Sequence, residues 1–177
     1  LWLERILRLL PEAGVTVTTL QGAIDRGAVA GSVQPQSSSW GSGKDWSVWE
    51  GAPVQDMVKD NDDLMRRWRK VCDAAAHTPK ARTRNDALDQ LARDALLALS
   101  SDWAFMVTKD SAADYARERH RQHHRDFTRL GGAITAAVDG HPRGWQIADE
   151  VAWKQRSANG PFGHLDGRLL SDHMSGR

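Results

Sequence analysis

The chain begins with hydrophobic positions that recur at helical spacing. They lie three or four residues apart, as one face of an amphipathic helix requires: Leu3, Ile6, Leu7 and Leu10. The helix is expected to end near Pro11 and Gly14. Residue 1 is Leu rather than Met and no capping residue precedes the pattern, so we expect that a natural N-terminal portion is missing.

A short strand and a short helix are predicted next. The run Val15–Thr19 is rich in β-branched residues, which favour a strand, and Thr19 is expected to cap a helix that ends at Arg26. Alternation of helix, strand and helix is typical of the tail of an α/β domain. Two short elements cannot close a sheet alone, so the partner strands are expected upstream.

From Pro53 onwards the pattern is that of long helices. The first runs to His77-Thr78-Pro79, and its predicted buried stripe is Val54, Met57, Val58, Met65, Trp68, Val71, Cys72 and Ala75. A second is predicted from about Thr83 to Ser100, with Leu88, Leu91, Ala95, Leu96 and Leu99 on its buried face.

Two further helices complete the predicted set. One starts near Ser111, in a stretch that resembles a capping box, and Gly131-Gly132 is expected to bend or fray it. A short helix is predicted over residues 145–155, and residues 157–177 are expected to meander. The predicted fold class is therefore mainly α, with three to four main helices.

Tryptophans are concentrated where the helical pattern is absent. Three of the eight, Trp40, Trp46 and Trp49, lie within ten residues, among glycines and serines. Glycine in a helix interior costs about 1 kcal/mol relative to alanine, so a loop is predicted. Indoles on a loop either cover a core or stack on a ligand, and the residues alone leave both interpretations open.

Asp102 directly precedes Trp103 at a break between two predicted helices. Its carboxylate could cap a helical turn. Alternatively, it could accept hydrogen bonds from neighbouring sugar hydroxyls, since a planar indole matches the C–H face of a pyranose ring. The second interpretation predicts a carbohydrate site.

Composition narrows the function classes. A net charge of +1 gives no general attraction to nucleic acid or to an anionic membrane, and no apolar run is long enough to span a bilayer or resembles a signal peptide. Cys72 is the single cysteine, which fits a cytoplasmic protein. The stretch 117–129, with five arginines and three histidines, is interpreted mainly as a solvated helix face, with metal binding and nucleic-acid binding as minor alternatives.

Two tryptophan motifs carry a resemblance to a known family. Ser38-Ser39-Trp40-Gly41-x-Gly43 with Val48-Trp49, followed by Ser100-Ser101-Asp102-Trp103-x-Phe105, resembles the C-terminal part of family 57 glycoside hydrolases of the 1,4-α-glucan branching enzyme type. The opening residues look like the last helix and strand of that family's catalytic barrel. The resemblance covers residues 1 to about 135.

The resemblance implies a domain organisation and a reaction. Residues 1–36 would be the remnant of a (β/α)7 barrel and residues 37–177 a helical C-terminal domain. The catalytic glutamate and aspartate would lie in the upstream barrel, so the fragment alone is expected to be inactive. The retaining mechanism would cut an α-1,4 bond and transfer the chain to a 6-hydroxyl, without metal or organic cofactor.

The resemblance also implies site residues. Trp40 and Asp102 match substrate-binding residues, Trp49 matches a second tryptophan near the cleft, and Trp103 lies in the same motif. Ser111 occupies a position where the family often has glutamine, and it is left out of the predicted site. The predicted partners are an α-glucan and the upstream barrel. The alternative function is a stand-alone helical carbohydrate-binding or interaction module without catalysis.

Overall fold

A computed structural model describes residues 1–170 of the chain. Its α-helices are α1 (Trp2–Glu12), α2 (Leu20–Asp25), α3 (Ser47–Glu50), α4 (Gln55–Ala76), α5 (Asp86–Ala98), α6 (Ser101–Thr108), α7 (Ala113–Val138) and α8 (Gly144–Ala158). Short 3₁₀ helices cover Ser42–Lys44, Ala52–Val54, Pro79–Arg82 and Gly167–Leu170. Within residues 1–170 there is no strand, and no helix is long and apolar enough to cross a membrane. The predicted class, mainly α, is confirmed.

The chain divides into two compact units, Leu1–Ser37 and Ser38–Arg177. The first contains α1 and α2, and the side chain of Thr19 accepts a hydrogen bond from the amide of Gly22 at the start of α2, as predicted. The assignment of residues 1–36 to a barrel remains a prediction, because the described residues contain no strand of such a barrel.

The strand predicted at residues 15–19 was wrong. Gly14 adopts a left-handed conformation (φ +77°), and the amide of Val15 donates to the carbonyl of Leu10 at 2.9 Å, so Val15 completes the end of α1. A strand also needs a neighbouring strand to pair with, and residues 1–170 provide none. A β-branched run without a ladder partner therefore stays irregular.

The core of the second unit is built around α5. This helix packs against α4, α7 and α8 and is buried on nearly all sides. The main cluster is Leu64, Trp68, Cys72, Ala75, Ala81, Ala87, Leu88, Leu91, Ala92, Ala95, Ala98, Phe127, Leu130, Ile134, Ala148 and Ala152. Met65 and Leu96, predicted to be buried, are 37% and 38% exposed because they lie on the outer faces of α4 and α5.

α7 includes Gly131 and Gly132 and continues to Val138, so it does not fray at the two glycines. Gly131 is buried against Leu91 of α5, and this tertiary packing outweighs its low helix propensity. The predicted capping box at Ser111 does not form either. The N-cap is Ala112, which provides no side-chain hydrogen bond.

A smaller cluster fixes the helices that carry the predicted site. Val54, Met57, Val107 and Ala116 are buried together, and Trp103 and Met106 pack against them. Thr108 Oγ1 also donates to the carbonyl of Val48 at 2.7 Å, which joins the end of α6 to α3. The two elements that hold the tryptophan motifs are thereby attached to each other.

Arg93 of α5 is fully buried and anchors the C-terminal segment (residues 159–168). Its guanidinium donates to the carbonyls of Pro161 and Phe162 and, at 2.7 Å, to Gln90 Oε1. The carboxylate of Asp89 accepts from the amide of Gly167 at 2.8 Å. These hydrogen bonds take the place of the bonds to water that the polar groups of α5 lose when the segment covers them.

Asp94 on α5 is 1% exposed, and its Oδ2 has no hydrogen-bond partner among the described residues. Burial, helped by the charge of Asp126, raises the pKa of its carboxyl group to about 7, against the hydrogen bond from Gln90 and the charge of Arg93. The folded protein therefore holds this proton to a higher pH than the unfolded chain. Its contribution to stability is lost as pH rises from about 4 to about 7.

We expect Asp94→Asn to stabilise the protein at pH 8 by on the order of 2 kcal/mol and to change little at pH 4, because the amide cannot ionise. Urea denaturation at both pH values measures the difference. Burial lowers the pKa values of His120 and His123 to about 4, so these histidines make stability rise with pH. They do so equally in wild type and in Asp94→Asn, and their effect cancels in the comparison. Asp62→Asn, on the exposed side of α4, is the control. An equal effect of Asp94→Asn at the two pH values would contradict the prediction.

Candidate functional site

The loop before α3 is closed by its own hydrogen bonds. The buried Ser39 accepts a bond on Oγ from the amide of Trp46 at 3.0 Å, and its own amide donates to the carbonyl of Lys44 at 3.3 Å. Gly43 (φ +81°) lies in the left-handed region that the turn requires. Gly41 is needed for space, since a Cβ there would lie 2.6 Å from Val48 Cγ2. The loop is therefore a defined turn.

The ring of Phe105 in α6 contacts two tryptophans. The centroid of the Trp40 ring lies 5.8 Å from that of Phe105, and the Trp49 ring lies 6.5 Å from it on a tilted plane. Trp40 nevertheless remains 71% exposed. An indole that contacts a ring along one part and leaves most of its surface in solvent can stack on a planar ligand.

A cavity of about 240 Å³ lies between Trp49 and Trp103. Its remaining walls come from α4, α6, α7 and the residues before α6: Met57, Asn61, Leu99, Ser100, Ser101, Ala104 and His120. Two indoles, two hydroxyls, an amide and an imidazole thus face one small space. Mixed aromatic and hydrogen-bonding walls are typical of pockets for small polar ligands.

The indole of Trp103 is held in place. Its Nε1 donates to the carbonyl of Leu97 at 2.7 Å, and its ring stacks on His123 at 6.0 Å and meets the edge of Tyr115 at 6.3 Å. Every polar group of this indole is satisfied within the protein. Trp103 is therefore a rigid wall of the cavity rather than a hydrogen-bond donor to a ligand.

Trp49 differs from Trp103 in this respect. Its Nε1 is buried and has no hydrogen-bond partner among the described residues. A buried donor without a partner costs about 1–3 kcal/mol. Because Trp49 lines the cavity, a bound oxygen acceptor could satisfy this group. The arrangement is suited to a hydroxylated ligand.

Asp102 lies in the first turn of α6 with its side chain exposed. Ser100, which lines the cavity, donates from Oγ to Asp102 Oδ2 at 3.1 Å. Asp102 precedes Phe105 by three positions, so the carboxylate and the ring that contacts Trp40 are neighbours on one face of α6. Because the side chain of Asp102 is exposed, its other carboxylate oxygen can accept a hydrogen bond from a ligand hydroxyl.

His120 forms one side of the cavity and is uncharged near neutral pH. Burial lowers its pKa to about 4, and the neighbouring His124 acts in the same direction. The Nε2 atoms of His120 and His124 lie 3.0 Å and 3.1 Å from Asn61 Oδ1. One oxygen accepts from both rings, which places the proton of each ring on Nε2.

The predicted site residues fall into two adjoining groups. Trp49 and Trp103 line one cavity, whereas Trp40 contacts Phe105 and Asp102 lies beside Ser100 at the start of α6. The roles of all four in binding remain predictions. Phe105, Asn61 and His120 were not among the predicted site residues. Phe105 stood in the quoted motif, but Asn61 and His120 meet from positions 59 residues apart, for which the sequence carried no signal.

The arginine-rich stretch is part of α7, and its faces differ. Arg121, Arg125 and Arg129 are exposed, as expected of a solvated face, but His120 and His123 are buried. In residues 1–170 no group of three or more His, Cys, Asp or Glu side chains is arranged to hold a metal ion. His120 lines the cavity between Trp49 and Trp103, and His123 stacks on Trp103.

The sequence matches a known family and known relatives. The family described as "1,4-alpha-glucan branching enzyme, C-terminal" matches residues 63–169. A probable 1,4-alpha-glucan branching enzyme of Mycobacterium tuberculosis is 44% identical, over 96% of this chain and 32% of that protein. A 1,4-alpha-glucan branching enzyme of Thermococcus kodakarensis is 29% identical over 77% of this chain and 20% of its own length. The chain thus spans about a third or less of these relatives.

Solved structures show a similar fold. The crystal structure of a GH57 branching enzyme from Thermococcus kodakaraensis, in complex with glucose and additives, superposes with a TM-score of 0.71 at 25% identity, over 97% of this chain and 30% of that one. The GH57-type branching enzyme from Pyrococcus horikoshii superposes with a TM-score of 0.60 at 24% identity, over 85% and 29%. The second likeness concerns the fold alone.

Proposed function

This chain belongs to glycoside hydrolase family 57, as the C-terminal region of a 1,4-α-glucan branching enzyme, and we propose that its tryptophan-lined site binds the α-glucan substrate of such an enzyme. The observation that carries the proposal is the cavity between Trp49 and Trp103, with the buried Nε1 of Trp49, which has no hydrogen-bond partner within residues 1–170. A glucosyl unit has apolar C–H faces for indoles and oxygen acceptors for that donor.

Each predicted residue receives a distinct role in this proposal. Trp40 stacks on a glucosyl unit, and the ring of Phe105 supports it from behind. Asp102 accepts hydrogen bonds from hydroxyls of the same chain. Trp103 forms a rigid wall, since its Nε1 is already bonded to Leu97. Neutral His120 closes the cavity without placing a charge near the sugar.

The reaction itself is assigned to residues outside this chain. The family resemblance places the glutamate nucleophile and the aspartate acid/base in a catalytic barrel, and a retaining transfer from an α-1,4 to an α-1,6 linkage would take place between them. The helical region would contribute binding energy and exclude water from the glycosyl-enzyme intermediate, which favours transfer over hydrolysis.

We expect Trp40→Ala and Asp102→Ala, made separately in the full-length protein, each to lower kcat/KM for branching of amylose at least about tenfold. The physical reason is the loss of a stacking surface in one variant and of a hydroxyl acceptor in the other. New α-1,6 linkages are counted by debranching the product and measuring the chains released.

Two controls make this experiment specific. Trp40→Tyr retains an aromatic face and should recover most of the activity lost in Trp40→Ala. Asp114→Ala removes another aspartate from the first turn of a helix, on α7, and should leave branching unchanged. Wild-type rates in both Trp40→Ala and Asp102→Ala would refute the assignment of these residues.

A further inference from the structure

Another exposed tryptophan lies on α8. Trp153 is 70% exposed, almost as much as Trp40 at 71%. Trp145, Asp149 and Trp153 follow one another at four-residue steps, so they share one face of the helix and the two indoles are about 12 Å apart along its axis. Trp145 packs partly against the core, whereas Trp153 stands clear of it.

Two depressions of the surface meet at Trp153. One, of about 870 Å³, lies towards the start of α5, and the other, of about 700 Å³, extends along α8 to Trp145. Both are lined by Trp153, Asp149 and Lys80. In the described part of the chain, neither shares a lining residue with the cavity between Trp49 and Trp103.

The charges around these depressions nearly balance. The cations are Lys80, Arg84, Lys154 and Arg156, and the anions are Asp86, Asp149 and Glu150. Lys80 and Asp149 are within 3.7 Å of each other and remain almost half exposed, so both can still bind a ligand. A surface of this kind offers many hydrogen-bond donors and acceptors, but its electrostatic potential is too weak to attract a polyanion.

The chemistry of the surface also argues against a protein partner. The buried centres of protein interfaces are depleted in charged residues, particularly Lys, Glu and Asp. Here isolated indoles are surrounded by such residues. Indoles spaced along a groove, with carboxylates, ammonium groups and the amides of Asn85 and Gln146 between them, match a neutral polyhydroxylated chain with apolar C–H faces.

We propose that the surface around Trp153, Asp149 and Lys80 is a second α-glucan-binding site, separate from the site around Trp40 and Asp102. The inference rests on the proposed function for the presence of a glucan. A glucan long enough to occupy both sites is held by two attachments on one protein, so the effective concentration of its free end at the other site rises. The second site therefore acts on polymers more than on short oligosaccharides.

The test compares variants of the full-length protein in native gels that contain increasing concentrations of glycogen, which report binding without turnover. We expect Trp153→Ala to raise the apparent dissociation constant for glycogen about tenfold, which corresponds to the loss of one well-placed stacking contact. Trp153→Tyr should restore most of the retention. Ile147→Ala, an exposed α8 residue that lines neither depression, should migrate as wild type.

Several outcomes would overturn the proposal. If glycogen retained Trp153→Ala as strongly as wild type, the proposal would be wrong. It would also be wrong if retention were lost in Trp40→Ala and unchanged in Trp153→Ala. A change of mass in size exclusion without glycogen, with retention unaltered, would identify a self-association face instead. If wild type forms α-1,6 linkages but is insensitive to Trp153, only this inference fails. If wild type neither branches amylose nor is retained by glycogen, the proposed function fails as well.

Discussion

Replacement of Arg93 with alanine is expected to lower the free energy of unfolding by about 4 kcal/mol. The guanidinium is fully buried, and its donors reach the carbonyls of Pro161 and Phe162 and the side chain of Gln90. Truncation leaves these acceptors without partners and opens a cavity beneath the C-terminal segment. Both effects act in the same direction.

Urea denaturation of the full-length protein and of Arg93→Ala measures this loss. Arg66→Ala is the control, because Arg66 forms an exposed ion pair with Asp63 on α4 and such pairs contribute at most about 1 kcal/mol. Limited proteolysis gives an independent readout, since cleavage within residues 159–168 should become faster in Arg93→Ala. If Arg93→Ala were no less stable than Arg66→Ala, these hydrogen bonds would not anchor the segment.

The anchoring also bears on the proposed glucan surface. Arg84, next to the start of α5, donates to the carbonyl of Leu165 at 2.7 Å and to Asp89, and both Arg84 and Gly163 line the larger depression. One wall of that depression is therefore formed by the C-terminal segment. Release of the segment by Arg93→Ala should weaken glycogen retention along with stability.

The local pattern predicted α1, α2, α4, α5, α7 and α8. It did not predict α3 or α6, where a loop and a break between helices were expected, nor the surroundings of α5. Leu88, Leu91 and Ala95 were expected on a buried face, and they are buried. Asp89, Gln90, Arg93 and Asp94 are equally buried, although their polarity assigns them to solvent in any periodicity argument. Gln90 and Asp94 form a hydrogen bond with each other. Asp89 and Arg93 are covered by a segment that follows about 70 residues later, and its backbone forms hydrogen bonds with their side chains. Contacts between residues so far apart in the chain produce no periodic pattern in the sequence from which they could be predicted.

The predicted site residues came from two motifs rather than from periodicity. The motifs identified Trp40, Trp49, Asp102 and Trp103, but not how they meet. Phe105 joins the first two, and the carbonyl of Leu97 fixes the last. Asn61 and His120 complete the cavity from α4 and α7. The positions of Asn61 and His120 at the cavity depend on how the helices cross, and the hydrophobic pattern of a sequence does not specify crossing geometry.

Gly144→Ala is expected to destabilise the protein by about 3 kcal/mol, the second large effect. Gly144 begins α8, and a Cβ there would lie 2.3 Å from the Cα atom of Ala137 on α7. The obstacle is backbone rather than a flexible side chain, so α7 and α8 would have to separate. Trp145 and Trp153 lie on the helix that would move, and glycogen retention should fall together with stability.

Gly132→Ala is the matched control, with an effect of opposite sign. Gly132 lies inside α7, and a Cβ there would meet nothing within 4 Å. Alanine at an exposed helix interior is favoured over glycine by about 1 kcal/mol, so this variant should be more stable than wild type. Thermal and urea denaturation of both variants compare the two signs directly. If Gly144→Ala and Gly132→Ala shifted stability in the same direction, α7 and α8 would not cross as closely as described, and the face of α8 that carries Trp153 would have to be placed anew.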